Sequence, residues 1–168
     1  PTLDYLYAYD AEGVLQPHLA ESCEISEDGK VYTLKIRPGQ IWVDSQGRKV
    51  ADVTADDWVA AAQHQADLQD CYELNNYIEG MTAYVTGETT DFSTVGVKAL
   101  DDLTLQYTLK EPATYFMSLL QKIGFLPLCR SYFLSQGGAF GLDAFSEAQS
   151  KPSYQYGIDQ NHVAVCGQ

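Results

Sequence analysis

The chain has 168 residues, 45% of them hydrophobic and 20% charged, which is enough for one domain to bury its own core without disulfide or metal staples. Its net charge of −13 argues against a nucleic-acid partner, whose phosphates call for clustered Lys and Arg, and against charge-driven binding to an anionic membrane surface. No apolar run approaches the roughly 20 residues that a membrane-spanning helix needs, so the acidic surplus fits a soluble protein of the cell surface or its surroundings.

Leu3, Tyr5, Leu6, Tyr7 and Tyr9 form a first apolar segment, and Asp10-Ala11-Glu12-Gly13 turns it. Residues 19–25 are extended and predict a strand that pairs with 31–36 across Glu27-Asp28-Gly29, where Gly accepts the positive φ of a hairpin turn. In 31–36, Tyr32, Leu34 and Ile36 alternate with Val31, Thr33 and Lys35, the period of a strand with one buried face. Pro38-Gly39 stops the strand. Trp42 follows it and calls for a buried site, as does Trp58.

Thr54 stands where a helix N-cap belongs, with Asp56 and Asp57 in the first turn. Its hydroxyl is expected to accept orphan amide hydrogens, with Asp57 completing a capping box and both acids complementing the helix dipole. The helix predicted from this start covers 55–70. His64 lies on it without a neighbouring Cys or His and reads as a solvated histidine. A second helical region spans 72–86, with a break expected near Asn75-Asn76 and an end at Gly87. Residues 95–100 and 103–109 read as two strands joined at Asp101-Asp102. That acid pair is a turn signal, since adjacent side chains in a tight hairpin point apart. Pro112 closes the last strand. A short helix is expected over 115–122, an extended piece over 124–127, a helical stretch over 130–136, loop with helical pieces over 137–162, and one more strand from 163–165.

Cys23, Cys71, Cys129 and Cys166 are far apart, with no Cys-x-x-Cys. Four cysteines allow 3 connectivities. The alternatives are buried free thiols acting as small hydrophobes or a single disulfide, for which Cys129–Cys166 is the favoured pair. His18, His64 and His162 belong to no Gly-x-Ser-x-Gly or His-Glu-x-x-His motif, so no catalytic residue, metal ligand or cofactor site is predicted.

Several short runs in order resemble one family: Tyr9-Asp10 with Gly13, Leu19-Ala20-Glu21-Ser22, Ser26-Glu27-Asp28-Gly29, Tyr32-Thr33-Leu34, Thr54-Ala55-Asp56-Asp57, Tyr77-Ile78-Glu79-Gly80, Gly96-Val97-Lys98-Ala99-Leu100-Asp101-Asp102 and Glu111-Pro112 with Tyr115-Phe116. Together they resemble the peptide-binding (family 5) extracellular solute-binding proteins of ABC transporters, most closely the oligopeptide branch. One departure is Cys23, which stands where the family carries tryptophan. The resemblance implies an α+β fold, a mainly antiparallel sheet with flanking helices, forming one subdomain of a receptor whose two lobes close on a ligand. The opening Pro-Thr-Leu-Asp, without initiator Met or signal peptide, and the closing Cys166-Gly167-Gln168 suggest that residues 1–168 are that subdomain alone, a single domain of a longer parent. The family implies no enzyme and no cofactor. It implies an oligopeptide ligand, delivery to a membrane permease through the parent, a place outside the cell membrane or in the periplasm, and membrane attachment only through a lipid anchor on the parent. By the same resemblance Tyr72, Lys122 and Phe125 come nearest the ligand. A non-catalytic adhesive surface domain is the competing reading, and a hydrolase a more distant one.

Overall fold

The computed structural model describes residues 4–167; Leu3 of the first apolar segment and Gln168 lie outside them. The centre of the fold is a four-stranded antiparallel sheet in the order β3-β4-β8-β7, formed by Ala20–Ile25, Val31–Ile36, Thr104–Thr108 and Val97–Asp101. These are the expected strands with ends moved by one or two residues. The predicted alternation sets the register: Tyr32 lies opposite Tyr107 and Leu34 opposite Leu105. With Ile36 and Val97 these side chains make a buried face. The other face is polar, with Lys35 Nζ donating to Thr104 Oγ1 at 2.7 Å and Gln106 Nε2 to Thr33 Oγ1 at 3.1 Å. The β3–β4 hairpin turns at Gly29, whose φ is +70°, while Ser26 Oγ accepts the Val31 amide at 2.9 Å.

A smaller sheet has the order β6-β5-β9, from Lys49–Asp52, Ile41–Val43 and Val165–Gly167. It brings the predicted C-terminal strand beside Trp42, which pairs with Cys166 and is 3% exposed. Residues Tyr7–Tyr9 (β1) and Leu15–Pro17 (β2) form a two-stranded ribbon. Mixed α and β elements with antiparallel sheets are the fold that the alternations predict.

Helix α1 runs Asp56–Asp67. Its start keeps half of the expected capping box: the Asp57 carboxylate reaches back to the Thr54 amide, whereas the Thr54 hydroxyl caps no amide of the helix. Asp57 is the organising group. Its Oδ2 accepts the Thr54 amide at 2.9 Å and the Trp42 indole at 2.8 Å, Oδ1 accepts the Arg130 amide at 3.3 Å, and its carbonyl accepts the Leu128 amide at 2.9 Å. The small sheet, the helix start and the 128–130 segment therefore meet on one residue. Burial raises the Asp57 carboxyl above its ordinary pKa, opposed by these donors. Beside it, Arg130 forms a forked ion pair with Asp56 and stacks over Phe140 at 4.6 Å.

The second helical region is two helices, Tyr72–Tyr77 (α2) and Met81–Val85 (α3). The break falls at 78–80, not at Asn75-Asn76. Gly80 explains it: its φ is +76°, and a Cβ there would lie 2.6 Å from the Thr94 carbonyl oxygen. Further on come a 3₁₀ turn at Phe92–Thr94, Phe116–Leu119 (α4), a second 3₁₀ turn at Ile123–Phe125 (the 3₁₀ turn below), Arg130–Ser135 (α5) and Leu142–Gln149 (α6). The 3₁₀ turn replaces the start of the extended piece expected over 124–127. The main core runs from the central sheet to α1, and a second cluster joins Ala60 and Ala61 of α1 to Leu128, Phe133 and Phe145. Asp67 ties the two, accepting from Tyr84 Oη at 2.8 Å and from the Gly141 amide at 2.7 Å.

All four cysteines are free thiols, three of them buried; the Cys129–Cys166 bridge is not formed. Burial pushes the Cys166 thiol up to about 12 and the Cys23 thiol up to about 11, so both stay protonated and behave as small apolar groups.

Candidate ligand-facing cleft

The second half of α1, the start of α2 and the 3₁₀ turn converge on one side of the molecule. Small residues on α1 let the neighbouring chain come close, and three contacts fix it. Trp58 Nε1 donates to the Phe125 carbonyl at 3.0 Å, Gln65 Nε2 donates to the Gly124 carbonyl at 3.1 Å, and the Phe125 amide closes on the Lys122 carbonyl at 2.9 Å. Gly124 is buried, with the Glu73 carboxylate 3.3 Å from where its Cβ would stand. A shallow cleft of ≈ 300 Å³ lies between these elements, lined by Ala61, His64, Gln65 and Leu68 of α1 and its C-terminal turn, Asp70 and Glu73, and Ile123, Gly124 and Leu126 to Leu128 of the neighbouring segment.

The structure brings together the elements that carry all three sequence-predicted residues, but it assigns them different positions. Tyr72 opens α2 and is 76% exposed. Lys122 is exposed immediately before the 3₁₀ turn. Phe125 is 1% exposed, with its ring centroid 5.6 Å from that of Tyr107 and 5.5 Å from that of Phe116. A ring enclosed on that scale has no free face for a ligand, so Phe125 backs the cleft from the core. Sequence reasoning missed Ile123, which is 73% exposed, and the polar residues Gln65, Asp70 and Glu73. A large apolar residue between Lys122 and Gly124 was the signal for Ile123; nothing in the sequence marked the other three.

His64 also lines the cleft, and the expectation of a solvated ring is corrected here. The ring packs 4.6 Å from Phe133, 5.1 Å from Phe145 and 6.1 Å from Tyr156. Its Nδ1 is buried without a hydrogen-bond partner. Burial lowers its pKa to about 4, so the imidazole is neutral at pH 7. Phe133 lies on α5, within the helical stretch expected over 130–136, while Phe145 and Tyr156 come from the 137–162 region expected as loop with helical pieces.

Among the described residues no group of three or more His, Cys, Asp and Glu side chains is placed to hold a metal ion, and no helix is long and apolar enough to cross a membrane. His162 and Asp159 make a 2.8 Å contact within an exposed turn.

Residues 14–153 match the family described as bacterial extracellular solute-binding proteins, family 5, middle region. The oligopeptide-binding protein AmiA of Streptococcus pneumoniae is 44% identical over 140 residues, covering 82% of this chain and 21% of its own length. Among solved structures, the substrate-binding domain of an oligopeptide ABC transporter from Bacillus anthracis superposes with a TM-score of 0.71 at 35% identity, over 85% of this chain and 27% of that one. Listeria monocytogenes OppA bound to peptide gives 0.70 at 33% identity, over 81% and 26%. The chain thus spans about a fifth of the curated relative and about a quarter of the solved ones.

Proposed function

The chain belongs to the bacterial extracellular solute-binding proteins of family 5, and from that we propose that it is one subdomain of an oligopeptide receptor serving an ABC importer. The receptor captures peptides outside the cell membrane, held there by a lipid anchor on the longer parent, and delivers them to a permease. The chain is a single domain of that parent, and the cleft between α1, α2 and the 3₁₀ turn is the part of it that borders the peptide. Tyr72 and Lys122 face the ligand, and Phe125 stiffens the wall behind them.

The observation that carries this reading is Ile123, 73% exposed at a cleft whose wall is fixed by the hydrogen bonds of Trp58 and Gln65, with Tyr72, 76% exposed, next in sequence to the cleft residue Glu73. Large apolar side chains left bare beside a concave surface mark a place that another molecule or lobe covers. Peptide side chains need only roomy, partly hydrated walls, because the main chain carries most of the recognition.

Transplantation tests the proposal. Residues 14–153 are inserted into AmiA in place of its matching segment, and peptide affinity is measured by fluorescence titration. A folded chimera should bind its peptides within about tenfold of the parent, a change of about 1.4 kcal/mol. A folded chimera that binds no peptide would refute it.

A further inference from the structure

We infer that the cleft between α1, α2 and the 3₁₀ turn is a subsite for a single basic side chain, Lys or Arg, of the bound peptide. The inference deepens the proposed function and rests on it.

Size comes first. At ≈ 300 Å³ the cleft lies at the bottom of the range of small-molecule sites, too small for a peptide and suited to one extended side chain. Its lining comes next. Leu68, Ile123, Leu126 and Pro127 offer apolar surface to an alkyl stem, while Asp70 and Glu73 stand at the same cleft. Lys and Arg divide in the same way, with an apolar stem and a charged head that stays near water. Neither carboxylate is engaged: the ion pairs among the described residues use Asp44, Asp52, Asp56, Glu147 and Asp159. Lys122 is exposed nearby and pairs with neither, leaving two negative charges against one positive. His64 lines the same cleft with its Nδ1 buried, and as a neutral imidazole it does not repel a cation. The net charge of −13 also favours the approach of cationic peptides. An acidic side chain would meet Asp70 and Glu73 as like charges, and an aliphatic one would leave both carboxylates unpaired.

The test uses the 168-residue chain, ¹⁵N-labelled, titrated with Ala-Lys-Ala, Ala-norleucine-Ala and Ala-Glu-Ala at low salt while amide shifts are followed. Ala-Lys-Ala should shift amides within 64–73 and 123–128 and bind about threefold to tenfold more tightly than the norleucine peptide, as expected of partly exposed charge pairs. Ala-Glu-Ala should be the weakest. In Asp70→Asn/Glu73→Gln, whose changes lie at the surface, the preference for lysine should vanish while the norleucine peptide still binds. Salt near 1 M should have the same effect, since it shortens the screening length to about 3 Å. Equal binding of the lysine and norleucine peptides, or a lysine preference that survives the double variant, would overturn the subsite while leaving the cleft as a peptide wall. No shift in the cleft with any peptide at about 10 mM would overturn the subsite, whereas the AmiA chimera tests the peptide-wall reading.

Discussion

Replacing Trp58 with Ala should lower the unfolding free energy by about 3–5 kcal/mol, the cost of removing a large aromatic from a packed core. Trp58 is 1% exposed and sits on α1, where the main core meets the 3₁₀ turn. Its indole also holds the Phe125 carbonyl at 3.0 Å. The alanine variant therefore leaves a cavity and orphans a buried acceptor, two separate penalties. Trp58→Phe separates them: it keeps most of the ring volume, loses the hydrogen bond and should cost about 1–3 kcal/mol. Urea unfolding followed by circular dichroism gives both values, provided the slope against denaturant is unchanged. An unaltered midpoint for Trp58→Ala would show that the ring is not in the core. The same loss should loosen the cleft, because the segment carrying Lys122 and Ile123 is anchored to α1 through Trp58 and Gln65.

The second large effect is acid lability centred on His64. Its ring is enclosed by Phe133, Phe145 and Tyr156, and its pKa falls from 6.5 to about 4 through burial. Between those values the unfolded chain binds a proton that the folded chain excludes, so stability falls as pH drops below 6.5 and the loss levels off below about 4. With about 1.4 kcal/mol per unit and a ring that is partly open to solvent, the loss is about 2–3 kcal/mol. Asp57 and Asp67 act in the opposite direction. Burial raises their pKa values, so each contributes stability in acid that is lost as pH rises. A variant comparison isolates the histidine: thermal unfolding at pH 7 and pH 4.5 should show a fall in the native protein that His64→Phe largely removes. Parallel pH profiles for the two proteins would mean that His64 titrates freely.

The parts of the fold that were legible share one property: the signal is local. Alternation along 31–36 and 103–109 names the buried face because side chains in a strand change sides at every residue. Hairpin glycines announce their turns, and isolated tryptophans demand burial. Where the outcome depends on a distant partner, sequence reasoning failed. The spacing of Thr54 and Asp57 foretells the bond from the Thr54 amide to the Asp57 carboxylate, but not that the same carboxylate gathers Trp42 and Arg130, residues that the fold alone brings near. His64 looks solvated because its enclosing rings, Phe133, Phe145 and Tyr156, lie far along the chain. The helix break falls at Gly80 because the Thr94 carbonyl approaches there, a contact invisible at Asn75-Asn76. The site was legible only in outline. Tyr72 and Lys122 are exposed where α2 and the 3₁₀ turn begin, but an aromatic at 125 could equally face ligand or core, and its ring lies in the core. Gln65 and Glu73 become neighbours of Gly124, and Asp70 joins the same cleft, only after α1, α2 and the 3₁₀ turn have met.

The central claim is that this chain forms one wall of a peptide site whose closure needs a second lobe. Calorimetric titration of the 168-residue chain with a mixed library of short peptides tests it most directly. One wall leaves most of a peptide's polar groups in water and buries little apolar area, a gain too small to offset the 4–15 kcal/mol of lost translational and rotational freedom. The account predicts dissociation constants weaker than about 1 mM, equivalent to only about −4 kcal/mol. Micromolar binding would contradict it, because the chain would then carry a complete peptide site of its own.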